Sequence, residues 1–186
     1  MSAPRVPPGQ RVVDGFPVLH YSGVPRINLA TWRLHVHGLV ETPLDLTWED
    51  FLELPQVTLK ADFHCVTRWS KLDNLWEGVT FQELAGRAKP LPEASHVLVY
   101  GYDGFTTNIP LDVLMDHDVL LARRHNGADL HQEHGWPLRL VVPKRYAWKS
   151  AKWVSVLEFL SQDRPGFWEQ RGYHNNADPW KEERYG

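Results

Sequence analysis

A single cysteine, Cys65, stands in the stretch DFHCVTRWS among polar and aromatic residues. A lone cysteine is usually a small buried hydrophobe. Here Cys65 follows an alternating strand pattern and precedes Arg68 and Lys71, and nearby cations favour the thiolate over the thiol. A thiolate is both a nucleophile and a soft-metal ligand. Ten histidines offer general bases, so these residues alone leave a metal site and a cysteine-nucleophile site open.

A dense basic segment, EHGWPLRLVVPKRYAWKSAKW, covers residues 133–153. Arginine offers phosphate a planar fork of donors, and lysine offers a point charge. The hydroxyl of Ser150 and the backbone of KSAK would add further donors. The pattern predicts an anion site, with a solvated strand edge as the alternative interpretation. The cations of the segment are Arg139, Lys144, Arg145, Lys149 and Lys152.

Two histidines, His35 and His37, lie on one face of a predicted strand in the stretch HVH. With Cys65 as a third ligand they would make a metal site such as zinc prefers. Because the pattern is short, histidines on an exposed face are the favoured interpretation.

The composition excludes several classes of protein. The chain has 186 residues with 42% hydrophobic and 23% charged residues, which is typical of one globular domain. A formal net charge of −3 gives no bulk attraction to nucleic acid or to a membrane. One cysteine excludes an intramolecular disulfide, a cysteine-only zinc site and an iron–sulfur cluster, and the lack of CxxCH excludes c-type haem.

The sequence gives no targeting signal. The N-terminal stretch has no continuous apolar region and no twin arginine, and no run approaches the roughly 18 apolar residues of a membrane helix. We therefore expect a cytoplasmic protein without a membrane span.

Strands dominate the elements that must position these residues. Apolar alternation predicts strands, of which the second ends at Cys65; they fall within 31–40, 56–65, 96–102, 103–116, 118–127, 137–144 and 149–160. Short helices are predicted over 47–54 and 80–88, with Thr47 and Thr80 as N-caps. The pair Asn126-Gly127 indicates a hairpin.

The order of these elements predicts the fold class. Residues 1–17, rich in proline and glycine, are predicted as an extended arm, and 18–186 as one domain. No regular strand–helix alternation is present, which disfavours a doubly wound parallel sheet. We predict an α+β fold with a mixed sheet, rich in strands and with short helices.

Four ordered blocks of the chain resemble the molybdopterin-dependent oxidoreductases of the sulfite oxidase superfamily, in particular their small, haem-free, single-domain bacterial branch. The blocks are FHCVTRWSKLDNLWEGVTFQEL, DGFTTNIPL, EHGWPLRLVVPKRYAWKSAKWV and DRPGFWEQRGYHNNADPWKEERY. The resemblance covers nearly everything from about Phe16 to the C-terminus. It implies a mixed α+β domain around one molybdenum pyranopterin dithiolene cofactor.

The resemblance also implies roles for individual residues. Cys65 matches the position whose thiolate ligates molybdenum. Arg139 and Lys152 match positions that hold the pterin and its phosphate, and His134 matches a position that contacts the cofactor. The remaining implied cofactor contacts are His20, Thr106, Ser150 and Ala151.

The residues after the cysteine depart from both known patterns. Animal and plant sulfite oxidases carry an Asn-Arg-Arg group there, and the methionine-sulfoxide-reducing bacterial branch carries CVEAWS, whereas this chain has CVTRWS. Arg68 is therefore expected to be catalytic, by orienting an anionic or oxo-bearing substrate. Trp69, Arg171 and Tyr173 are expected to line the mouth of the site, with a packed C-terminal arm as the alternative for the last two.

These points predict an oxidoreductase that transfers an oxygen atom, with two electrons, to or from a small, sulfur-containing substrate. Neither haem nor an iron–sulfur cluster is expected, so electrons would pass to or from an external protein. One alternative is a pterin- or anion-binding module without turnover. Another is a zinc or cysteine hydrolase, which leaves the basic segment unexplained.

Overall fold

Two mixed β-sheets and three short helices make up the described part, residues 4–186, of the computed structural model. The strands, in chain order, are β1 (Arg11–Val12), β2 (Leu34–Gly38), β3 (Leu44–Leu46), β4 (Val57–His64), β5 (Trp69–Thr80), β6 (His96–Gly101), β7 (Thr106–Pro110), β8 (Leu120–His125), β9 (Ala128–Asp129), β10 (Arg139–Val141) and β11 (Val154–Leu160). The helices are α1 (Trp48–Glu53), α2 (Phe81–Ala88) and α3 (Leu111–Leu114). Short 3₁₀ turns lie at Gln132–His134, Ala147–Lys149, Glu169–Arg171 and Pro179–Lys181.

Strand pairing confirms the predicted α+β class with mixed sheets. The first sheet has the order β1-β5-β8-β10, with β4 also paired to β5 and β9 to β8. The second sheet has the order β3-β2-β11-β6-β7. Strand β1 runs parallel to β5, and β11 runs parallel to β2, whereas the remaining pairs are antiparallel.

Helix α1 begins, and the β8–β9 turn lies, at the capping and turn residues that the sequence predicts. The Thr47 hydroxyl accepts a hydrogen bond from the Asp50 N–H (3.0 Å), and the Asp50 carboxylate accepts one from the Thr47 N–H (2.9 Å). This reciprocal pair is a capping box. Asn126 and Gly127 have positive φ angles of 50° and 81° and close the β8–β9 hairpin.

Side-chain alternation divides the core in two. Along β8, Leu121 joins the main core between the sheets, whereas Leu120 and Ala122 join a smaller cluster on the opposite face of the first sheet. Along β10, Leu140 joins the main core and Val141 joins the smaller cluster. Arg139 lies two residues before Val141, so its side chain is directed to the smaller cluster, which also contains Cys65.

The longest strand, β5, has no simple alternation, and the sequence pattern does not predict it. It buries the polar residue Asn74, whose side-chain amide donates to the carbonyls of Ala61 (3.2 Å) and Lys71 (2.8 Å). Asp73 adds a positive φ of 56° inside the strand. A buried polar residue that is hydrogen-bonded breaks the apolar alternation, so hydrophobic periodicity does not predict this strand.

The N-terminal segment lies against the first sheet, and residues 1–3 of the predicted arm lie outside the described residues. Strand β1 pairs with Trp69 and Ser70 of β5. Phe16 makes an edge contact with Phe63 at a centroid distance of 5.4 Å. None of the helices within residues 4–186 has the length and apolar character needed to cross a membrane.

Candidate active site

A cavity of about 310 Å³ opens beside the C-terminal end of β4. The predicted site residues that line it are His20, Cys65, Trp69, His134, Arg139, Ser150, Ala151, Lys152 and Tyr173. Residues from β4, the basic segment and the C-terminal tail thus meet at one place. The structure brings together most of the set that the sequence predicts.

Cys65 lies directly after β4 and is 6% exposed. Its N–H donates to the carbonyl of Trp69 (2.9 Å), and its Sγ lies 3.2 Å from the hydroxyl oxygen of Thr67. Burial raises the pKa of the thiol, and the contacts with Thr67 and the charge of Arg184 offset part of this rise. The thiol is therefore protonated in the protein alone and needs a stronger positive charge, such as a metal ion, to become a thiolate.

The cations expected to activate Cys65 lie elsewhere. Lys71 donates to the carbonyl of Asp14 (2.8 Å). The side chain of Arg68 is 63% exposed, and its Nη1 lies 4.0 Å from Glu182 Oε1. Arg68 does not line the cavity, because the turn after β4 directs its side chain outward, toward the C-terminal tail.

Arg139 is buried on the cavity face of β10, at 3% exposure. It donates to the carbonyls of His134 (2.9 Å) and Ser150 (3.1 Å), and its guanidinium lies 4.9 Å from the centre of the Phe63 ring. Within residues 4–186 no carboxylate oxygen comes within 4.0 Å of it. Burial lowers the pKa of Arg139, but a guanidinium remains charged at neutral pH.

Lys152 supplies a second cation at the same wall of the cavity. Its Nζ donates to the carbonyl of Glu133 (2.8 Å), and the ring centre of Trp153 lies 4.9 Å away. No carboxylate among the described residues pairs with it within 4.0 Å. Burial, assisted by the charge of Arg139, lowers the pKa of Lys152 to about 7. Two sheltered cations without a carboxylate fit an anionic group such as a phosphate.

Gly135 lets the turn before β10 pack closely against the stems of Arg139 and Lys152, and the sequence prediction missed this residue. Its φ of +112° is a conformation that favours glycine. A Cβ at this position would lie 3.0 Å from the Cβ of Arg139 and 3.2 Å from that of Lys152. The signal was present in the sequence as HGWP at residues 134–137, one residue before Arg139.

The other predicted cofactor contacts near Arg139 and Lys152 are His134, Ser150 and His20, and their surroundings differ. The His134 ring stacks on Phe16 at 4.1 Å, and burial lowers the pKa of His134 to about 4, so the imidazole is neutral. The Ser150 hydroxyl accepts from the Val142 N–H (2.9 Å), so it also fastens the turn to β10. His20 is exposed at the edge of the cavity, with its ring 6.0 Å from that of Trp153.

Besides Arg68, two predicted residues lie away from the cavity lining. Thr106 is on β7, and its carbonyl accepts from the Phe167 N–H (2.8 Å), while its neighbour Phe105 faces the cavity. Arg171 lies over the ring of Phe167 at 3.6 Å and donates to the carbonyl of that residue (2.8 Å). Packing within the C-terminal tail therefore occupies Arg171, in agreement with the alternative weighed for it.

Aromatic residues form the mouth of the cavity near Cys65. The rings of Trp168 and Tyr173 are 4.8 Å apart, and those of Trp148 and Tyr173 are 5.1 Å apart. Trp148 donates its indole N–H to Glu169 (2.9 Å), whose side chain also pairs with Lys149 at 2.6 Å. Both charged side chains of this pair are 1% exposed. The buried ion pair thus fixes Trp148 at the mouth.

The solvated strand edge and the zinc site do not fit the structure. Arg139 and Ser150 of the basic segment are buried, which contradicts a solvated edge. His35 and His37 are exposed, with His35 Nδ1 3.2 Å from Asp45. Across residues 4–186 no three His, Cys, Asp or Glu side chains converge as a metal site would require. Cys65 makes no hydrogen bond with a described histidine, as a cysteine nucleophile would need.

Comparisons with known proteins agree with this geometry. The family model described as "Oxidoreductase molybdopterin binding domain" matches residues 21–168. An uncharacterised oxidoreductase of Bacillus subtilis (strain 168), YuiH, is 47% identical over 182 residues, which are 97% of this chain and 92% of that protein. The catalytic subunit MsrP of the protein-methionine-sulfoxide reductase of Campylobacter jejuni is 29% identical and aligned over 82% of this chain and 58% of its own length.

Larger proteins contain a similar region. A nitrate reductase of Aspergillus niger is 29% identical over 91% of this chain, which corresponds to 24% of that enzyme. Among solved structures, the sulfane dehydrogenase SoxCD of Paracoccus pantotrophus has a TM-score of 0.72 at 30% identity, over 78% of this chain and 42% of the other. The chain therefore spans about a quarter of the nitrate reductase and less than half of the SoxCD chain.

Proposed function

Since this chain belongs to the family of oxidoreductases with a molybdopterin-binding domain, we propose that it holds a molybdenum pterin in the cavity and transfers oxygen atoms to or from a small sulfur compound. The observation that carries the proposal is that a buried thiol, Cys65, and two cations without carboxylates, Arg139 and Lys152, line one cavity. Such a set matches a group that combines a soft metal with a phosphate.

The cofactor contacts in this proposal are divided between metal and phosphate. Cys65 would ligate molybdenum through its thiolate, and Arg139 and Lys152 would neutralise the phosphate. The backbone of Ser150 and Ala151 and the rings of His134 and His20 would complete the pocket. When bound, the molybdenum pterin supplies two-electron oxygen-atom chemistry, while the protein supplies binding, orientation and electrostatics.

The chain's own residues would act on the substrate at the aromatic mouth. Trp148 and Trp168 would limit the entry of water, and Trp69 would form the wall beside Cys65. Burial raises the pKa of Tyr173, so its phenol keeps its proton at neutral pH and could donate a hydrogen bond to a substrate oxygen. Arg68 has no part in this proposal, because its side chain lies outside the lining.

The mouth favours a neutral substrate over an anion. The cations of the lining, Arg139 and Lys152, are assigned here to the phosphate, and the lining residues next to Cys65 in the chain and at the mouth, among them Val66, Thr67, Ala147 and Tyr173, are uncharged. An oxyanion such as sulfite would find no charge partner there, whereas a sulfoxide would find apolar surface and the Tyr173 hydroxyl. MsrP and SoxCD are named for sulfur chemistry, which supports a sulfur-containing substrate for this chain as well.

Three further features stay predictions. We propose that electrons pass to or from an external protein, because turnover must be balanced by a second redox step. We also propose a cytoplasmic location and a cofactor set without haem or an iron–sulfur cluster, as the sequence pattern predicts. Cell fractionation and iron analysis of the purified protein would test the latter two.

The test of function is a substrate screen on protein loaded with molybdenum. Reduced and oxidised dyes would report turnover of methyl sulfoxides and of sulfite, respectively. We expect dye oxidation with a neutral sulfoxide and a much weaker response to sulfite. Full cofactor content without turnover of any sulfur substrate would instead favour the non-catalytic pterin-binding module.

A further inference from the structure

The turn from Cys65 to Trp69 has an unfavourable backbone that needs outside support. Arg68 has a φ of +71°, in the left-handed region that costs an arginine energy. Inside the turn, the Arg68 N–H donates to the Cys65 carbonyl (3.1 Å), and the Cys65 N–H donates to Trp69 (2.9 Å). Such a conformation persists only when its surroundings hold it.

The N-terminal arm supplies part of that support. The amide of Gln10 donates to the carbonyls of both Cys65 (2.9 Å) and Trp69 (3.2 Å), and so joins the two ends of the turn. The N–H of Arg11 donates to the carbonyl of Arg68 (3.0 Å). The arm therefore binds the turn through its carbonyl groups.

The C-terminal tail supplies the other part through Arg184. This arginine is 6% exposed, and its Nη1 donates to the carbonyl of Val66 (2.6 Å). Its guanidinium lies 4.8 Å from the ring centre of Tyr146, and its Nη2 lies 3.6 Å from Glu182 and 3.4 Å from the amide oxygen of Gln10. A single buried cation thus connects the turn, the tail and the arm.

From these contacts we infer that Arg184 is a positioning residue, which acts with Gln10 as a clasp on the Cys65–Trp69 turn and so fixes where the Cys65 sulfur lies. Charge-assisted hydrogen bonds from a buried guanidinium are stronger than neutral ones, so Arg184 is the principal member of the clasp. The consequence for the metal rests on the proposed function, whereas the effect on the turn does not.

Hydrogen exchange of the cofactor-free protein tests the clasp. In Arg184→Gln we expect the backbone amides of residues 65–69 to exchange about tenfold faster, because a charge-assisted bond to the turn is lost. Gln10→Ala should also accelerate the exchange of these amides, and it provides the test if Arg184→Gln does not fold. Arg184→Lys should restore part of the protection. Arg68→Gln, an exposed arginine of the same turn, is the matched control and should exchange at the wild-type rate.

A second control separates positioning from general destabilisation. Val97→Ala removes volume from the main core, away from the turn, and lowers the global stability. Under conditions where the amides of residues 65–69 exchange through opening of the turn alone and not through global unfolding, we expect Val97→Ala to leave their exchange rates unchanged. If both Arg184→Gln and Gln10→Ala exchange at the wild-type rate, or if Val97→Ala accelerates the turn equally, the clasp is wrong.

Loaded protein gives the readout for the metal. With the cofactor bound, Arg184→Gln should shift the paramagnetic resonance signal of Mo(V), whereas Arg68→Gln should not. An unchanged signal in Arg184→Gln would overturn the link from the clasp to the metal. Faster exchange in a chain that never binds molybdenum would overturn the proposed function and leave the clasp standing.

Discussion

Lys149 and Lys152 lie three residues apart in the stretch KSAK, yet their surroundings are opposite. Lys149 is buried with its Nζ 2.6 Å from Glu169 Oε1, and it also donates to the carbonyl of Asn108 (2.7 Å). Lys152 is half-buried with only the Glu133 carbonyl as acceptor (2.8 Å), and no described carboxylate pairs with it within 4.0 Å. The protein neutralises the first charge and leaves the second facing the cavity.

The difference separates a cation of the fold from a cation of the site. Removing a charge from water is costly unless a partner compensates for it. Glu169 compensates Lys149 and ties the C-terminal tail to the mouth. We interpret Lys152, together with Arg139, as a charge whose partner is the phosphate of the ligand. Substitution of each lysine should therefore affect a different property.

The largest expected effect comes from breaking the compensated pair. Lys149→Met leaves the Glu169 carboxylate buried without its partner, and loss of one member of such a pair costs about 3–5 kcal/mol. Urea unfolding of the cofactor-free protein measures this change. The double variant Lys149→Met/Glu169→Gln removes both charges and should recover most of the loss. Equal destabilisation of the single and double variants would contradict the assignment of this pair to the fold.

The next effect concerns ligand binding. Lys152→Gln removes a sheltered cation that has no protein partner, so the cofactor-free protein should be at least as stable as the wild type at neutral pH. Retention of the cofactor should weaken by about 10- to 100-fold, since a hydrogen bond from a charged group to the phosphate is lost. Pterin and molybdenum released on dilution measure this retention. A destabilised Lys152→Gln protein that retains its cofactor normally would reverse the roles of the two lysines.

A pH dependence should follow from the lowered pKa of Lys152. In the folded, cofactor-free protein this pKa is about 7, whereas an unfolded lysine has a pKa of about 10.4. Between these values the unfolded state binds more protons, so stability rises with pH across this window and is lost as pH falls toward 7. Lys152→Gln should show a smaller slope of unfolding free energy against pH. Identical slopes would mean that Lys152 is not sheltered as described.

The smallest effect is expected for an exposed cation. Arg68→Gln should change the unfolding free energy by less than about 0.5 kcal/mol and leave cofactor retention and sulfoxide turnover unchanged, because its side chain is 63% exposed. Steady-state kinetics with dyes measure the turnover. A fall in kcat/KM of tenfold or more would return Arg68 to the site.

The sequence predicts the elements that local signals specify. Helix α1 begins at Thr47 because its capping box involves only residues three apart, and the β8–β9 turn forms because Asn126 and Gly127 tolerate positive φ. The proposed role of Cys65 and of the cations comes from four blocks that resemble one family. Such features need no knowledge of distant contacts.

Features that depend on distant contacts could not be predicted. The burial of Lys149 depends on Glu169, 20 residues later, and the outward direction of Arg68 depends on the turn that Gln10 and Arg184 hold. Neither partner is marked by a local pattern. Strand β5 was missed for the same reason, since its buried Asn74 is satisfied by backbone groups of other residues.

Whether Cys65 binds molybdenum in this cavity can be measured on the metal itself. The wild-type chain and Cys65→Ser are purified from a host that makes the cofactor, and molybdenum content and sulfur coordination are recorded by X-ray absorption at the molybdenum edge. We expect near-stoichiometric molybdenum in the wild type, with one more sulfur ligand to the metal than in the molybdenum that Cys65→Ser retains. A folded wild-type protein without molybdenum, or identical sulfur coordination in both proteins, would contradict it.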